Sequence, residues 1–185
     1  MTISYKRFFI PQFLLLIFIL TSSLSNAAVF SGVYPIGNSS LYTKISQVAD
    51  SLTGATITGD VVFELQSDYD GTTGEILPIN FKQFIVSGGS WTVTIRPAAG
   101  VTAKVTAGDP GSLLPVIQLT GINNLILDGR PGGVGTSEWI IRNTRSTATI
   151  GSVFTFINDA TFNTLKYLSI EGQNPATGLV LLVLR

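Results

Sequence analysis

Residues 116–129 read VIQLTGINNLILDG, and residues 153–172 read VFTFINDATFNTLKYLSIEG. Both stretches contain an apolar alternating strand, an asparagine-containing turn, a second strand, and then an acidic residue followed by glycine. A repeat of this kind is typical of solenoids, in which each turn of chain buries its apolar side against the next turn. The repeat therefore constrains the fold much more than it constrains a ligand or a reaction.

Short β-branched or aromatic segments recur along the chain at intervals of about ten residues. The predicted strands lie at residues 29–35, 61–65, 84–86, 91–95, 103–105, 116–119, 125–127, 139–141, 153–157, 167–170 and 179–183. One repeat is expected to take about 26 residues, and the glycine-rich loop RPGGVGTS at 130–137 lengthens one interval. Because Asn-Gly hairpin signals are absent, we predict an all-β fold, a parallel β-helix. The alternative is an antiparallel β-sandwich.

One amphipathic helix is predicted before the strand series. Its apolar face consists of Leu41, Ile45, Val48, Ala49 and Leu52. Ser39 or Ser40 is expected to cap its start, and Gly54 stands where it would end. Such a helix, lying across the open end of the first repeat, would cover the unpaired backbone there.

Residues 1–27 have the pattern of a secretory signal peptide. Lys6 and Arg7 precede the uncharged run FLLLIFIL at 13–20, and Ser25-Asn26-Ala27 supplies small residues for cleavage after Ala27. The apolar run is shorter than the roughly 20 residues of a membrane-spanning helix. We therefore predict that residues 28–185 are secreted or on the cell surface, with no membrane span after cleavage.

The end of the sequence, GLVLLVLR at 178–185, reads as an apolar strand. An uncapped apolar strand at a solenoid end exposes pairing groups. From this we expect residues 28–185 to be the N-terminal part of a β-helix domain, truncated at its C-terminal end. An open end of this kind can self-associate.

Composition excludes several classes of function. The formal net charge is zero and only 12% of residues are charged, so nucleic acid is not an expected partner. The sequence contains no cysteine and no histidine, which excludes Ser-His-Asp catalysis, Cys-His catalysis and the zinc sites that use these ligands.

The segments YPIGNSSLYTKISQVADSL, GDVVFEL, VTIRPAAGVTAKV, LILDGRPGG, EWIIRNT and FINDATFNTLKYLSIEG together cover most of residues 34–172. This series resembles the β-helix region of large secreted bacterial surface proteins, which are exported by the type IX route and carry a C-terminal sorting domain. The resemblance implies a pectin-lyase-like right-handed β-helix, extracellular or cell-surface placement, and adhesive or carbohydrate-related roles. The sequence ends before any sorting domain, and none of the quoted motifs is a catalytic signature.

Two groups of carboxylates are candidates for chemistry. Asp68, Asp70 and Glu75 surround the turn DYDGTTG, where oxygen ligands would suit calcium, but the EF-hand pattern is not met. The favoured interpretation is a solvated turn whose aspartates bond their own backbone. Asp128 and Glu171 precede equivalent glycines, so stacking would bring them together as an acid–base pair, although the repeat alone explains both.

Cationic and aromatic side chains are candidates for polysaccharide binding. The arginines are Arg96, Arg130, Arg142 and Arg145, and ordinary exposed loop positions are favoured for them. The aromatic residues are Trp91, Trp139, Tyr69 and Tyr167, with burial favoured for the two tryptophans. The turn residues Asn124, Asn158 and Asn163 are expected to form hydrogen-bonded ladders, and Asn38-Ser39-Ser40 matches a glycosylation acceptor.

The sequence thus predicts a secreted structural or binding module without catalysis of its own. Its partner would be an extracellular polysaccharide or another cell-surface component. No residue is assigned to catalysis, a cofactor or a metal. The alternatives are a fragment of a β-helix polysaccharide lyase or glycoside hydrolase, and a non-functional remnant of a longer surface protein.

Overall fold

The computed structural model describes residues 27–111, 113–146 and 151–172. Twelve strands lie in this part of the chain: β1 (Val29–Ile36), β2 (Thr56–Leu65), β3 (Ile79–Lys82), β4 (Ile85–Val86), β5 (Val93–Pro97), β6 (Lys104–Gly108), β7 (Ile117–Thr120), β8 (Leu125–Asp128), β9 (Trp139–Asn143), β10 (Phe154–Ile157), β11 (Thr164–Lys166) and β12 (Leu168–Glu171). One α-helix, α1, spans Ile45–Leu52, and a short 3-10 helix spans Pro131–Gly133.

The strands form three parallel sheets. The first sheet has the order β1-β2-β5-β8-β11, with β4 also pairing with β2. The second sheet has the order β10-β7-β3, and the third has the order β12-β9-β6. The chain visits the second, first and third sheets in the same sequence three times. We call each set of three strands a layer: β3-β5-β6, β7-β8-β9 and β10-β11-β12.

The predicted right-handed parallel β-helix is wrong as a statement of the fold class. The protein is mostly β, with 43% strand and 8% helix, and no closed solenoid is detected among the three small parallel sheets. The connections between paired strands are unequal: paired residues are 27 apart at Val29 and Thr56 but 38 apart at Ile79 and Ile117. A regular repeat of about 26 residues is therefore also wrong. The antiparallel sandwich is wrong as well, because every strand pairing in the described part of the chain is parallel.

The core lies between the three sheets and follows the period of two along each strand. In β2, Val61, Phe63 and Leu65 are fully buried, whereas Val62 and Glu64 point outward and are half-buried. The same alternation recurs in β5 and β8. One face of the first sheet therefore packs in the core, and the other face is available to solvent.

Helix α1 covers the β3 side of the core. Ile45, Val48, Ala49 and Leu52 are buried as the periodicity predicts, and the helix packs against β3. Leu41, by contrast, lies before the helix and is 83% exposed. The predicted serine cap is also wrong, because the helix begins after Lys44, where Gln47 Oε1 accepts hydrogen bonds from the backbone N–H groups of Thr43 and Lys44.

The predicted signal peptide and the predicted strand at 179–183 lie outside the described residues, apart from Ala27. Among the residues that the structure describes, no helix has the length and apolar character needed to cross a membrane.

Candidate functional site

The carboxylates of the turn DYDGTTG are used for internal hydrogen bonds. Asp68 Oδ2 accepts from the Ser39 backbone N–H at 2.9 Å, and hydrogen bonds from Ser39 hold the pKa of Asp68 below its usual value. Asp70 accepts from the backbone and hydroxyl of Thr72 and from the hydroxyl of Thr73, which lowers its pKa. Asp70 therefore organises its own turn, and Asp68 ties that turn to the backbone at Ser39.

A lysine ammonium group lies where the calcium hypothesis would place a cation. Lys44 Nζ donates to the backbone oxygens of Asp70 and Thr73, at 2.5 and 2.6 Å. The loop thus wraps around a positive charge that belongs to the chain itself. No group of three or more potential metal-ligating side chains is found among the described residues.

Glu75 caps helix α1 from a position thirty residues downstream. Its two oxygens accept hydrogen bonds from the backbone N–H groups of Ile45 and Ser46, at 2.8 and 2.9 Å. A carboxylate at this place satisfies orphan donors and interacts favourably with the positive end of the helix dipole. Glu75 therefore has a structural role at the start of α1.

A directed chain of hydrogen bonds leads from the third sheet to Glu75. Trp139 Nε1 donates to Thr106 Oγ1 at 3.0 Å, and the hydroxyl of Tyr69 donates to Glu75 Oε1 at 2.9 Å. Because the single hydroxyl proton of Tyr69 is used there, the 2.9 Å bond between Tyr69 and Thr106 must have Thr106 as the donor. Burial, reinforced by Glu75, raises the pKa of Tyr69. Tyr69 and Trp139 are thus buried side chains that cannot stack on a sugar.

The hypothesis that stacking brings Asp128 and Glu171 together is wrong. Asp128 lies in the first sheet, where its register partner is Lys166, whereas Glu171 lies in the third sheet opposite Arg142. Gly129 permits a close approach of the two backbones here, because a Cβ at this position would lie 1.7 Å from the carbonyl oxygen of Tyr167. Asp128-Gly129 therefore matches Lys166-Tyr167 in space, and no acid–base pair arises from the two acids.

Asp128 instead binds two cations. Arg130 donates from Nε and Nη2 to its two carboxylate oxygens at 3.0 and 2.8 Å, and Lys166 Nζ lies 3.3 Å from Oδ2. Burial alone would raise the pKa of Asp128, but the hydrogen bonds from Arg130 and Lys166 outweigh it and lower the pKa. The carboxylate therefore stays ionised at neutral pH, and these three side chains together carry one net positive charge.

An exposed aromatic ring lies against this cluster. The guanidinium carbon of Arg130 is 4.1 Å from the ring centroid of Tyr167, within the range of a cation–π contact. The Tyr167 side chain is 54% exposed. We call Asp128, Arg130, Lys166 and Tyr167 the Arg130–Tyr167 site. It combines an accessible ring with a local excess of positive charge.

The cluster continues across the outward face of the first sheet as a line of alternating charge. Arg96 donates from Nε and Nη2 to Glu64 Oε1, at 3.1 and 2.8 Å. In the register, Glu64 pairs with Arg96 and Lys166 pairs with Asp128. Leu127 pairs with Ile95, so the next residues along the two strands, Asp128 and Arg96, lie side by side. We call this line across β2, β5, β8 and β11 the charged stripe.

The other candidate arginines lie elsewhere. Arg142 binds Glu171 on the third sheet, which raises the pKa of Arg142. Arg145 binds Asp109 at 3.1 Å. Of the four arginines that the sequence identified, the structure therefore brings only Arg96 and Arg130 to one face.

The remaining turn residues have structural roles. Asn163 links neighbouring layers, because it accepts from the backbone N–H of Leu125 and donates to the carbonyl of Ile122. Its partners are backbone groups and not the asparagines of the predicted ladder. Asn124 and Asn158 instead adopt positive φ, a region that asparagine tolerates well. Trp91 is half-buried and donates from Nε1 to the carbonyl of Ser87.

Two exposed features escaped the sequence analysis. Lys166 was not identified, because its role depends on a register partner 38 residues away. Phe162 is 84% exposed and has a φ of 55°. In the sequence, Phe162 comes directly after the residues that line an open depression of about 500 Å³: Phe156, Ile157, Asn158, Asp159, Ala160 and Thr161. The alternation of apolar and polar residues in the sequence does not reveal that Lys166 and Phe162 are exposed.

In comparisons with known proteins, no family model matches this chain, and no curated protein or solved structure matches it. The resemblance to secreted bacterial surface proteins therefore remains a prediction.

Proposed function

We propose that this chain is a secreted or cell-surface binding module without catalysis of its own, and that it binds an extracellular polysaccharide at the Arg130–Tyr167 site. The observation that carries the proposal is the exposed Tyr167 ring beside two cations that share one carboxylate. An exposed ring offers a flat face to a sugar, and the neighbouring cations can attract acidic groups of the same ligand.

The charges of the site indicate which polysaccharide fits best. Arg130 and Lys166 bring two positive charges, and Asp128 neutralises one of them. The remaining charge favours a ligand with acidic groups, and the Tyr167 ring offers a flat apolar surface for a sugar ring. Lys166 retains 36% of its side-chain exposure, so its ammonium group is accessible to such a ligand.

The lyase or hydrolase alternative has less support. An acid–base pair would require Asp128 and Glu171 to lie together, and these residues lie in different sheets. The carboxylates on the outward face of the first sheet, Glu64 and Asp128, are both bonded to arginine. A carboxylate bonded to arginine is stabilised in its ionised form, which favours a structural role over proton transfer.

Binding should be measured by calorimetry with acidic and neutral polysaccharides of similar length. We expect the acidic chains to bind more tightly and the Tyr167→Ala variant to lose about tenfold in affinity, the cost of removing one contact residue of moderate strength. Phe162→Ala is the matched control, because it removes another exposed aromatic side chain that flanks β11.

Equal losses from the two substitutions, or the same affinity for neutral and acidic chains, would contradict the assigned site. Shortening of the polysaccharide during incubation with the purified protein would contradict the absence of catalysis.

A further inference from the structure

The outward face of the second sheet carries three polar side chains that are joined by hydrogen bonds. Gln118 Nε2 donates to Thr120 Oγ1 at 3.1 Å, and Thr120 Oγ1 donates to Asn80 Oδ1 at 2.8 Å. These residues alternate with the buried side chains of β3 and β7, so all three point outward. The hydroxyl of Thr120 thus holds both amide groups in place. We call Asn80, Gln118 and Thr120 the amide cluster.

The amide cluster leaves one donor group and one acceptor unused. Asn80 Nδ2 and Gln118 Oε1 have no hydrogen-bond partner within the part of the chain that the structure describes. No buried side-chain nitrogen or oxygen in that part lacks a partner, so both atoms are open to solvent. Asn80 and Gln118 are register partners on neighbouring strands, which lie about 4.8 Å apart. The free donor and the free acceptor can therefore contact the same ligand.

An apolar surface lies directly beside the amide cluster. Ile157 is the register partner of Thr120 on β10 and points outward with it. Ile157 also lines the open depression of about 500 Å³, together with Phe156 and Ala160. A cavity of this volume lies within the range of small-molecule sites in proteins. The amide cluster and the depression thus adjoin on one face of the second sheet.

The charges around this surface cancel. Lys82 is the register partner of Thr120 on β3, and Asp159 lies in the turn that lines the depression. Both residues are exposed. Among the outward-facing residues of β3, β7 and β10 and the lining of the depression, no other residue is charged. This balance favours a neutral ligand, in contrast to the acidic chains proposed for the Arg130–Tyr167 site.

We propose that this surface binds a neutral sugar that carries an acetamido group. Such a group has an N–H donor beside a carbonyl acceptor, which complements the free acceptor and the free donor of the amide cluster. Its methyl group contacts Ile157 at the rim of the depression.

A sugar fits the position of this surface better than a peptide does. Peptides also contain amide groups, but extended peptides add to the edge of a sheet. The amide cluster lies on the face of the second sheet, across β3 and β7. The surface is also separate from the Arg130–Tyr167 site, which lies on the first sheet. The inference therefore does not depend on the binding of acidic polysaccharides.

Two trisaccharides of the same backbone test the ligand. Triacetylchitotriose has an acetamido group on each sugar where cellotriose has a hydroxyl. Calorimetry measures both affinities, and we expect triacetylchitotriose to bind about tenfold more tightly, because the hydroxyl provides neither the carbonyl acceptor nor the methyl group. In saturation-transfer NMR, the acetyl methyl protons should receive more saturation than the ring protons.

Alanine substitutions at the two ends of the amide cluster test the place of binding. Gln118→Ala and Asn80→Ala each remove one of the free groups, and each should weaken the binding of triacetylchitotriose about tenfold. Gln83→Ala is the matched control, because it removes an exposed amide side chain that follows β3 but lies outside the amide cluster. Circular dichroism establishes that each variant is folded.

Three outcomes would overturn the proposal. The first is the absence of saturation transfer to either trisaccharide. The second is equal affinity for the two trisaccharides, which would mean that the acetamido group is not recognised. The third is a loss in Gln118→Ala and Asn80→Ala no larger than the loss in Gln83→Ala, which would place the sugar on another surface. None of these outcomes bears on the Arg130–Tyr167 site, which is measured with acidic chains.

Discussion

Layers β7-β8-β9 and β10-β11-β12 carry similar inward-facing side chains but bury them to different extents. Leu127 is fully buried, whereas its register partner Leu165 is half-buried. Ile141 and its register partner Ile170 differ in the same way. The residue types are identical, so the difference comes from the neighbours on each side of the layer. A position in this fold becomes core only when it is covered from both sides.

The opposite end of the core shows how such cover is supplied. There, Ile79 and Phe81 of β3 are fully buried because helix α1 packs against that strand. The two ends thus differ in their contacts more than in their hydrophobicity, and substitutions can test that difference directly.

The largest expected effect comes from the matched pair Leu127→Ala and Leu165→Ala. Removing the fully buried side chain should cost about 2–5 kcal/mol of the free energy of unfolding, because it leaves a cavity. Removing the half-buried one should cost about 1–2 kcal/mol, since less apolar area returns to water. Urea denaturation measures both, and equal losses would show that the outer layer is covered as fully as the inner one.

An intermediate effect is expected from Glu75→Gln at the helix-covered end. The amide has one carbonyl oxygen for three donors, the N–H groups of Ile45 and Ser46 and the hydroxyl of Tyr69, so the protein should lose about 1–3 kcal/mol of stability. Asp50→Asn, at an exposed position on the same helix, is the control and should change stability by less than about 0.5 kcal/mol. Similar melting temperatures for the two variants would disprove the capping role of Glu75.

The smallest effect is expected from Phe162→Asn in the outer layer. Phe162 is highly exposed and has a positive φ, which asparagine adopts more readily than phenylalanine. The stability should therefore change by less than about 0.5 kcal/mol. Phe156 lies on β10 and is partly buried against the core, so Phe156→Asn should reduce the stability clearly more than Phe162→Asn does. If Phe162→Asn lowers the melting temperature by a large amount, the ring of Phe162 must pack against the protein.

The local parts of the fold were predictable from sequence. Most strands and the buried face of α1 follow from apolar periodicity, which depends only on neighbouring residues. Strand β3 was missed because INFK at residues 79–82 is too short to show a period. The repeat was correctly aligned through β7 and β10, which pair residue by residue.

The errors arose where distant residues decide the outcome. The helix cap comes from Glu75, which no local capping pattern reveals. The second half of the repeat was misaligned because Gly129 is needed for close approach to the Tyr167 backbone and not for a turn shared with Gly172. At the candidate site, the sequence identified Asp128, Arg130 and Tyr167 separately, but only the register brings them together with Lys166.

The hydrogen-bond chain from Trp139 to Glu75 gives the molecule an internal optical reporter. The sequence has two tryptophans. Trp139 is fully buried and donates into this hydrogen-bond chain, whereas Trp91 is half-buried and lies just before β5. Detachment of α1 from Glu75 would leave the Tyr69 hydroxyl free to reorient, and the indole of Trp139 would sense the change through Thr106. Fluorescence of a Trp91→Phe variant would then follow the docking of the helix from a probe in the third sheet.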